Sequence, residues 1–257
     1  MNDIKVRLLQ YPIFWEDPEA NRSFMEDTLS EITDQCHLYV LPEMWTTGFS
    51  MNPDKLAEDM NGPTIKWMIW MADQKNAAIC GSLIIRSEEG FYNRFVFVEP
   101  NGQLHYYDKR HCFSLAKEDQ YFKSGTVRLL INYMGWRICP LICYDLRFPV
   151  WSRNQDEYDV LLYSSQFPEK RRNAWNILLP ARAIENVCYV IGVNGIGTDG
   201  NGIVYSGDSG AWDYEGSSIG NLESNIGSLE ISLNKEKLLG FRRAYPFLKD
   251  RDKFNIS

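Results

Sequence analysis

Histidine is scarce in this chain, and the spacings that usually hold transition metals are missing. Only His37, His105 and His111 occur, with no Cys-x-x-Cys and no His-Glu-x-x-His. The closest cysteine pair, Cys139 and Cys143 in CPLIC, falls in a predicted strand rather than a ligand loop, which argues against a metal centre. No run of ~18 or more uncharged apolar residues is present, and charges interrupt the opening MNDIKVRLLQYPIFW where a signal peptide would be apolar. The expectation is a soluble, cytoplasmic protein with no membrane partner, in which the six cysteines stay unpaired. A basic face is lacking too. The net charge is −7, and the one basic cluster, EKRRNAW (169–175), includes an acid, so a nucleic-acid partner is not expected. Repeats, low-complexity tracts and linkers are also missing, which predicts one domain over residues 1–257.

What the chain has in quantity is apolar material, 44% of residues, enough for a sizeable core. β-Branched and aliphatic runs recur between amphipathic segments, the pattern of a layered α/β protein. Strands are predicted at 4–11, 37–43, 77–86, 94–100, 105–109, 127–145, 160–166, 188–197, 209–214 and 226–234. Helices are predicted at 18–35, 63–76 and 170–187, the second opened by Pro63 and the third kinked or divided near Leu179 by Pro180. Asn-Gly in EPNGQL and the TDGNG segment predict hairpins. The tail RRAYPFLKDRDKFNIS is charged and aromatic, suited to a surface or a partner subunit.

Cys143 ends an apolar run and is followed by YDLRFP, which puts its sulfur at a strand end where the chain turns, a common place for sites in α/β sheets. A buried packing cysteine is the plain alternative. A free thiol has a pKa of ~8.5, so nucleophilic use needs a base or a cation nearby. His37 precedes a strand and His105 lies in a hairpin, so a Cys/His pair is weakly supported. Glu43 is a better base. VLPEMWTTGF (40–49) delivers it at a strand end among Leu41, Pro42, Met44 and Trp45, surroundings expected to raise a carboxyl pKa by desolvation. Lys109 in HYYDKRHCF suits a compact cation beside an oxyanion, although exposure is the default for a lysine.

The order Glu43, Lys109, Cys143 with these flanks resembles the nitrilase superfamily of carbon–nitrogen hydrolases. LPEMWTTGF, YDKRHCFSLAKED, CYDLRFPVWSRN and ARAIENVCYVIGVNGIG each look like a block of that family, and CYDLRFP looks most like its omega-amidase branch. The resemblance implies a four-layer αββα sandwich, commonly dimerised through its helical layers. It also implies hydrolysis of the terminal amide of a short dicarboxylic acid monoamide such as 2-oxoglutaramate or 2-oxosuccinamate, a small-molecule substrate, with no cofactor. Glu43 would be the base, Cys143 the nucleophile, Lys109 and the backbone N–H of Tyr144 the oxyanion donors. A second glutamate of the family falls on Glu118, next to Asp119. An N-carbamoyl amino acid amidohydrolase, an aliphatic amidase or an inactive binding scaffold would share much of this pattern.

A distal carboxylate calls for arginine, and Arg147, Arg171, Arg172 and Arg182 are candidates. Arg147 has an alternative in pairing with Asp145, and Arg182 in pairing with Glu185. Trp45, Phe113, Phe167 and Trp175 are candidate pocket walls, with ordinary core packing as the alternative. The backbone of SSQF (164–167) is a candidate substrate contact. Pro140 interrupts the strand leading to Cys143, a departure expected to reshape the pocket. Dimer contacts are expected on the helix bearing Trp175, the segment after Cys143 and the tail.

Overall fold

The structure, a computed structural model, describes residues 3–255. The chain opens with β1 (Ile4–Gln10), crosses through α1 (Pro18–Glu31) to β2 (Leu38–Val40), and passes α2 (Pro53–Leu56) and α3 (Pro63–Lys75) into β3 (Ala78–Ser87), β4 (Gly90–Val98) and β5 (Leu104–Asp108). Local chemistry sets these limits. Asp17 caps α1 by accepting from the Ala20 N–H, with Pro18 in the first turn. Pro63 opens α3, and Asn76, in the left-handed region at φ 46°, closes it.

The second half repeats the plan. After α4 (Glu118–Tyr121) come β6 (Ile131–Tyr133), β7 (Trp136–Ile142), α5 (Pro149–Ser152), β8 (Val160–Ser165), α6 (Arg172–Asn186) and β9 (Tyr189–Asn194). A separate two-stranded hairpin, β10 (Ile196–Thr198) and β11 (Val204–Ser206), precedes β12 (Gly210–Trp212), β13 (Ser218–Asn221), β14 (Gly227–Leu233) and α7 (Lys235–Ala244).

Two six-stranded mixed sheets result, ordered β14-β1-β2-β3-β4-β5 and β13-β12-β9-β8-β7-β6. β1, β2 and β3 run parallel in one, β7, β8 and β9 in the other. Side chains alternate across the pleat. Cys80, Phe95, Phe97 and Tyr107 share a core with Ile138 and Ile142 of the opposite sheet, while Ile79, Val96 and Val98 pack outward on Met68, Met71 and Ala72 of α3. Trp175, Leu179 and Ala183 of α6 cover the second sheet. Each such side chain contributes roughly 1.5–3 kcal/mol through burial. This is the αββα sandwich implied by the motifs.

Several sequence expectations need correction. Residues 127–145 are a hairpin rather than one strand, because Met134 (φ 50°) and Gly135 (φ 78°) turn the chain between β6 and β7. Only 38–40 of the expected strand 37–43 are extended in the sheet. Pro180 does not divide α6, which runs unbroken through it. The buried stripe of Trp175, Leu179, Arg182, Ala183 and Asn186 holds the helix against the sheet across the missing donor. Pro140 stays within β7 opposite Leu162, since β6 pairs with β7 only as far as Ile138 and leaves that edge without a ladder bond to lose. Both expected hairpins form, β4–β5 and β10–β11. The tail packs on the chain itself: Arg242 donates to the carbonyls of Val187 and Tyr158, and Leu248 is buried.

Candidate active site

Strand ends from both sheets converge on one place. β2 leads to Glu43, β5 to Lys109 and the short α4 begins with Glu118, all from the first-sheet half, whereas β7 delivers Cys143 from the second. Glu43, Lys109 and Glu118 have no exposed surface at all, and Cys143 is 8% exposed. Asp119 next door is exposed, which settles which acid enters the site.

Burying three charges is tolerable only if they satisfy one another. Lys109 Nζ donates to Glu43 Oε1 at 2.7 Å and to Glu118 Oε1 and Oε2 at 3.0 and 2.9 Å. Asn93 Nδ2 donates to the same two oxygens, Glu43 Oε1 at 2.7 Å and Glu118 Oε1 at 3.0 Å. The Ser82 hydroxyl fixes that amide by donating to Asn93 Oδ1 at 2.8 Å, while accepting from the Met44 N–H. The second oxygen of Glu43 accepts from the Gln166 N–H at 2.8 Å, and Glu118 Oε2 from the Phe113 N–H at 2.5 Å. Burial by itself would pull the ammonium pKa of Lys109 down, but Glu118, Glu43 and Cys143 more than reverse this, and it stands well above the usual lysine value. Glu118 is pushed up by burial, with Lys109 opposing.

Cys143 sits at φ 42°, in the left-handed region where a residue with a Cβ is strained by roughly 1–3 kcal/mol. It opens a 3₁₀ turn, Cys143–Arg147. The first N–H groups of such a turn, that of Tyr144 among them, have no acceptor inside it. Burial and then the neighbouring Glu43 carboxylate hold the thiol pKa well above its ordinary value, with Lys109 acting the other way. A raised pKa favours the protonated form, so nucleophilic use of this sulfur calls for a group to take the proton.

A cavity of about 470 Å³ opens over Cys143 and Tyr144. Its walls include Phe49, Phe113 and Phe167, and the β10–β11 hairpin supplies Tyr205 and Asp199, joined by a hydrogen bond of 3.0 Å. Arg147 and Arg171 both line it, the first 5.8 Å from the Phe167 ring centroid and the second 4.7 Å from that of Phe113. Neither has a carboxylate in ion-pair contact among the described residues.

Trp45 and Trp175 do not line the cavity. Trp45 packs 5.2 Å from Trp67 under α3, and Trp175 lies behind Phe167, donating to the Asp208 carbonyl, so both are core. Arg147 does not pair with Asp145, whose carboxylate is taken by Tyr107, His111 and the Ile142 N–H. Arg172 pairs with Asp208 and Arg182 with Glu185, which removes both as carboxylate receptors. His105 pairs with Glu99 at 2.8 Å and does not line the cavity. The Gln166 backbone contacts Glu43. Sequence reasoning missed Asn93, and named the backbone that includes Gln166 only as a substrate contact, not as a partner of Glu43. Asn93 left a signal, an amide inside the apolar strand GFYNRFVFV, where a buried polar group must have partners.

A family model described as carbon–nitrogen hydrolase matches residues 5–234. The omega-amidase YafV of Escherichia coli K12 is 42% identical over the whole of both chains. The 2-oxoglutaramate amidase of Bacillus subtilis is 33% identical over 199 residues, 76% of this chain and 77% of its own length. The crystal structure of XC1258 from Xanthomonas campestris, a CN-hydrolase superfamily protein with an arsenic adduct in its active site, superposes with a TM-score of 0.97, 39% identity and complete coverage of both chains.

Proposed function

Because this chain belongs to the carbon–nitrogen hydrolase family, we propose that it is a thiol amidohydrolase that cleaves the terminal amide of a short dicarboxylic acid monoamide, of the 2-oxoglutaramate or 2-oxosuccinamate type. The observation that carries the chemistry is the closed Glu43–Lys109–Glu118 cluster beside the Cys143 sulfur on a strained turn. The observation that favours an acidic substrate is a pair of arginines free of carboxylates above that thiol.

Glu43 takes the Cys143 proton as sulfur bonds to the amide carbon. The oxyanion meets Lys109 Nζ and the Tyr144 N–H, donors already in place before charge develops. The tetrahedral centre collapses, the carbon–nitrogen bond breaks, and the proton on Glu43 leaves with the nitrogen as ammonia. Glu43, again a carboxylate, deprotonates water, which attacks the thioester carbon and restores the thiol. Glu118 and Asn93 hold Lys109 and Glu43 in register. Phe113 and Phe167 flank the substrate chain, and Arg147 receives the far carboxylate, with Arg171 next in line.

Ammonia release from 2-oxoglutaramate, compared with that from N-carbamoyl-β-alanine, tests this reading. A preference for the carbamoyl compound overturns the substrate class. Arg147→Gln should raise KM for 2-oxoglutaramate roughly 10- to 100-fold, the worth of a charge-assisted hydrogen bond, and leave a neutral aliphatic amide almost unaffected. Equal effects on both amides would remove Arg147 from this role.

We also read residues 1–257 as one domain that works as a homodimer. The three segments expected at the contact carry exposed apolar side chains: Val150 after the nucleophile, Ile177 on α6, and Tyr245 and Phe247 near the tail. Ile177→Asp should convert a dimer to a monomer in sedimentation velocity, and an unchanged profile would place the interface elsewhere.

A further inference from the structure

Asp145 lies two residues beyond Cys143, is completely buried, and is used by no step of the chemistry above. Its carboxylate nevertheless accepts four hydrogen bonds, as many as Glu118. Oδ1 accepts from His111 Nδ1 at 2.7 Å and from the His111 N–H at 3.0 Å. Oδ2 accepts from the Tyr107 hydroxyl at 2.8 Å and from the Ile142 N–H at 3.0 Å. The Tyr107 oxygen in turn accepts from Trp151 Nε1 at 2.9 Å and from the Arg110 N–H at 3.0 Å.

These donors belong to two different pieces of the site. Ile142 and Asp145 bracket Cys143 on the second sheet, while Tyr107, Arg110 and His111 bracket Lys109 on the first. The His111 ring also stacks on Phe148, with centroids 3.6 Å apart and planes within 3°. Phe148 directly follows the 3₁₀ turn that Cys143 opens. His111 therefore grips that turn twice, by a hydrogen bond to Asp145 inside it and by stacking just past its end.

We propose that His111 is a positioning residue, which through Asp145 and Phe148 fixes the Cys143 turn, and with it the Tyr144 N–H, relative to Lys109 and Glu43. A left-handed cysteine persists only where its surroundings over-determine it, and this clamp joins the Cys143 turn to the Lys109 side of the site, beside the Tyr107 bond to the same carboxylate. The inference rests on the amidase reading for its rate measurement but not for its thiol measurement.

The test compares His111→Phe, which keeps a ring for stacking but loses the bond, with His111→Asn, whose side-chain amide can still donate to Asp145. In His111→Phe, kcat for amide hydrolysis should fall 10- to 100-fold with KM within about threefold, the signature of a group acting on the reacting centre rather than on binding. His111→Asn should recover most of the loss. Melting temperatures identify any share due to unfolding. The second arm is the pH–rate profile of iodoacetamide alkylation, read at the Cys143 peptide by mass spectrometry. The groups that face this thiol are Glu43 and Lys109, with Tyr205 of the hairpin also in electrostatic range. Moving the turn changes its distance from them, so the profile should shift in His111→Phe and return in His111→Asn. Unchanged kcat and an unchanged alkylation profile in folded His111→Phe would overturn the proposal. If wild type releases no ammonia from any amide, the amidase reading falls, and the alkylation arm still decides the positioning role.

Discussion

Cys143→Ala should lower ammonia release from 2-oxoglutaramate by a factor on the order of 10⁴–10⁶, the loss expected if Cys143 is, as proposed, the group that forms the acyl intermediate. The substitution trades a small side chain for a smaller one at a position lining a cavity, and alanine inherits the same left-handed strain. The melting temperature should therefore stay within a few degrees of wild type. Glu43→Gln removes the proposed proton acceptor while keeping an acceptor oxygen for Lys109, and should cost about 10²–10⁴-fold in kcat. Steady-state ammonia assays on folded variants decide both. Turnover by Cys143→Ala within tenfold of wild type would mean that the reaction does not pass through this thiol.

Lys109→Met should be the most destabilising substitution in the site. Methionine fills similar space but leaves Glu43 and Glu118, two fully buried carboxylates, without their shared cation. Breaking such a buried pair from one side costs about 3–5 kcal/mol. The deficit should depend on pH in a definite sense. Burial already pushes the Glu118 pKa up, and Lys109 is the main influence holding it down. Without that cation the folded-state pKa rises further above the unfolded value of ~4.3. A raised pKa means that stability is complete below the unfolded value and is lost as pH climbs through the folded one. The loss in urea midpoint relative to wild type should consequently be small at pH 5 and large at pH 8. A loss equal at both, or none at pH 8, would contradict the linked cluster. Activity should vanish at either pH, because the oxyanion loses a donor and Glu43 loses its orientation.

Much of this site was legible because Glu43, Lys109 and Cys143 each follow a predicted strand. Leu38–Val40 announces Glu43, Leu104–Asp108 announces Lys109, and Trp136–Ile142 announces Cys143. Glu118 was legible only through a family motif, since nothing local separates it from Asp119 until the fold buries one and exposes the other. Gln166 touches Glu43 through its backbone, which no residue type encodes. The Trp45 and Trp175 assignments failed because residue type does not fix the side an aromatic faces: Trp45, past β2, packs on Trp67 of α3, and Trp175, on α6, packs behind Phe167 against the second sheet. The β6–β7 turn was hidden because Met134 accepts a positive φ that sequence rules reserve for glycine or asparagine. Pro180 misled for the opposite reason, since a local rule about one missing donor was outweighed by a buried stripe of five residues.

The pairing of β1 with β14 has a consequence in time. Ile4 lies opposite Leu233 and Gln10 opposite Gly227, so β1, once made, lacks its outer neighbour until more than two hundred further residues have been made. At ~5–20 residues per second, β1 waits roughly 10–45 s with one edge open. Contacts of such sequence separation also slow the final closure. Through that interval the nascent chain should be most exposed to strand-edge association, and conditions that slow translation should cost yield before they cost activity in the molecules that finish.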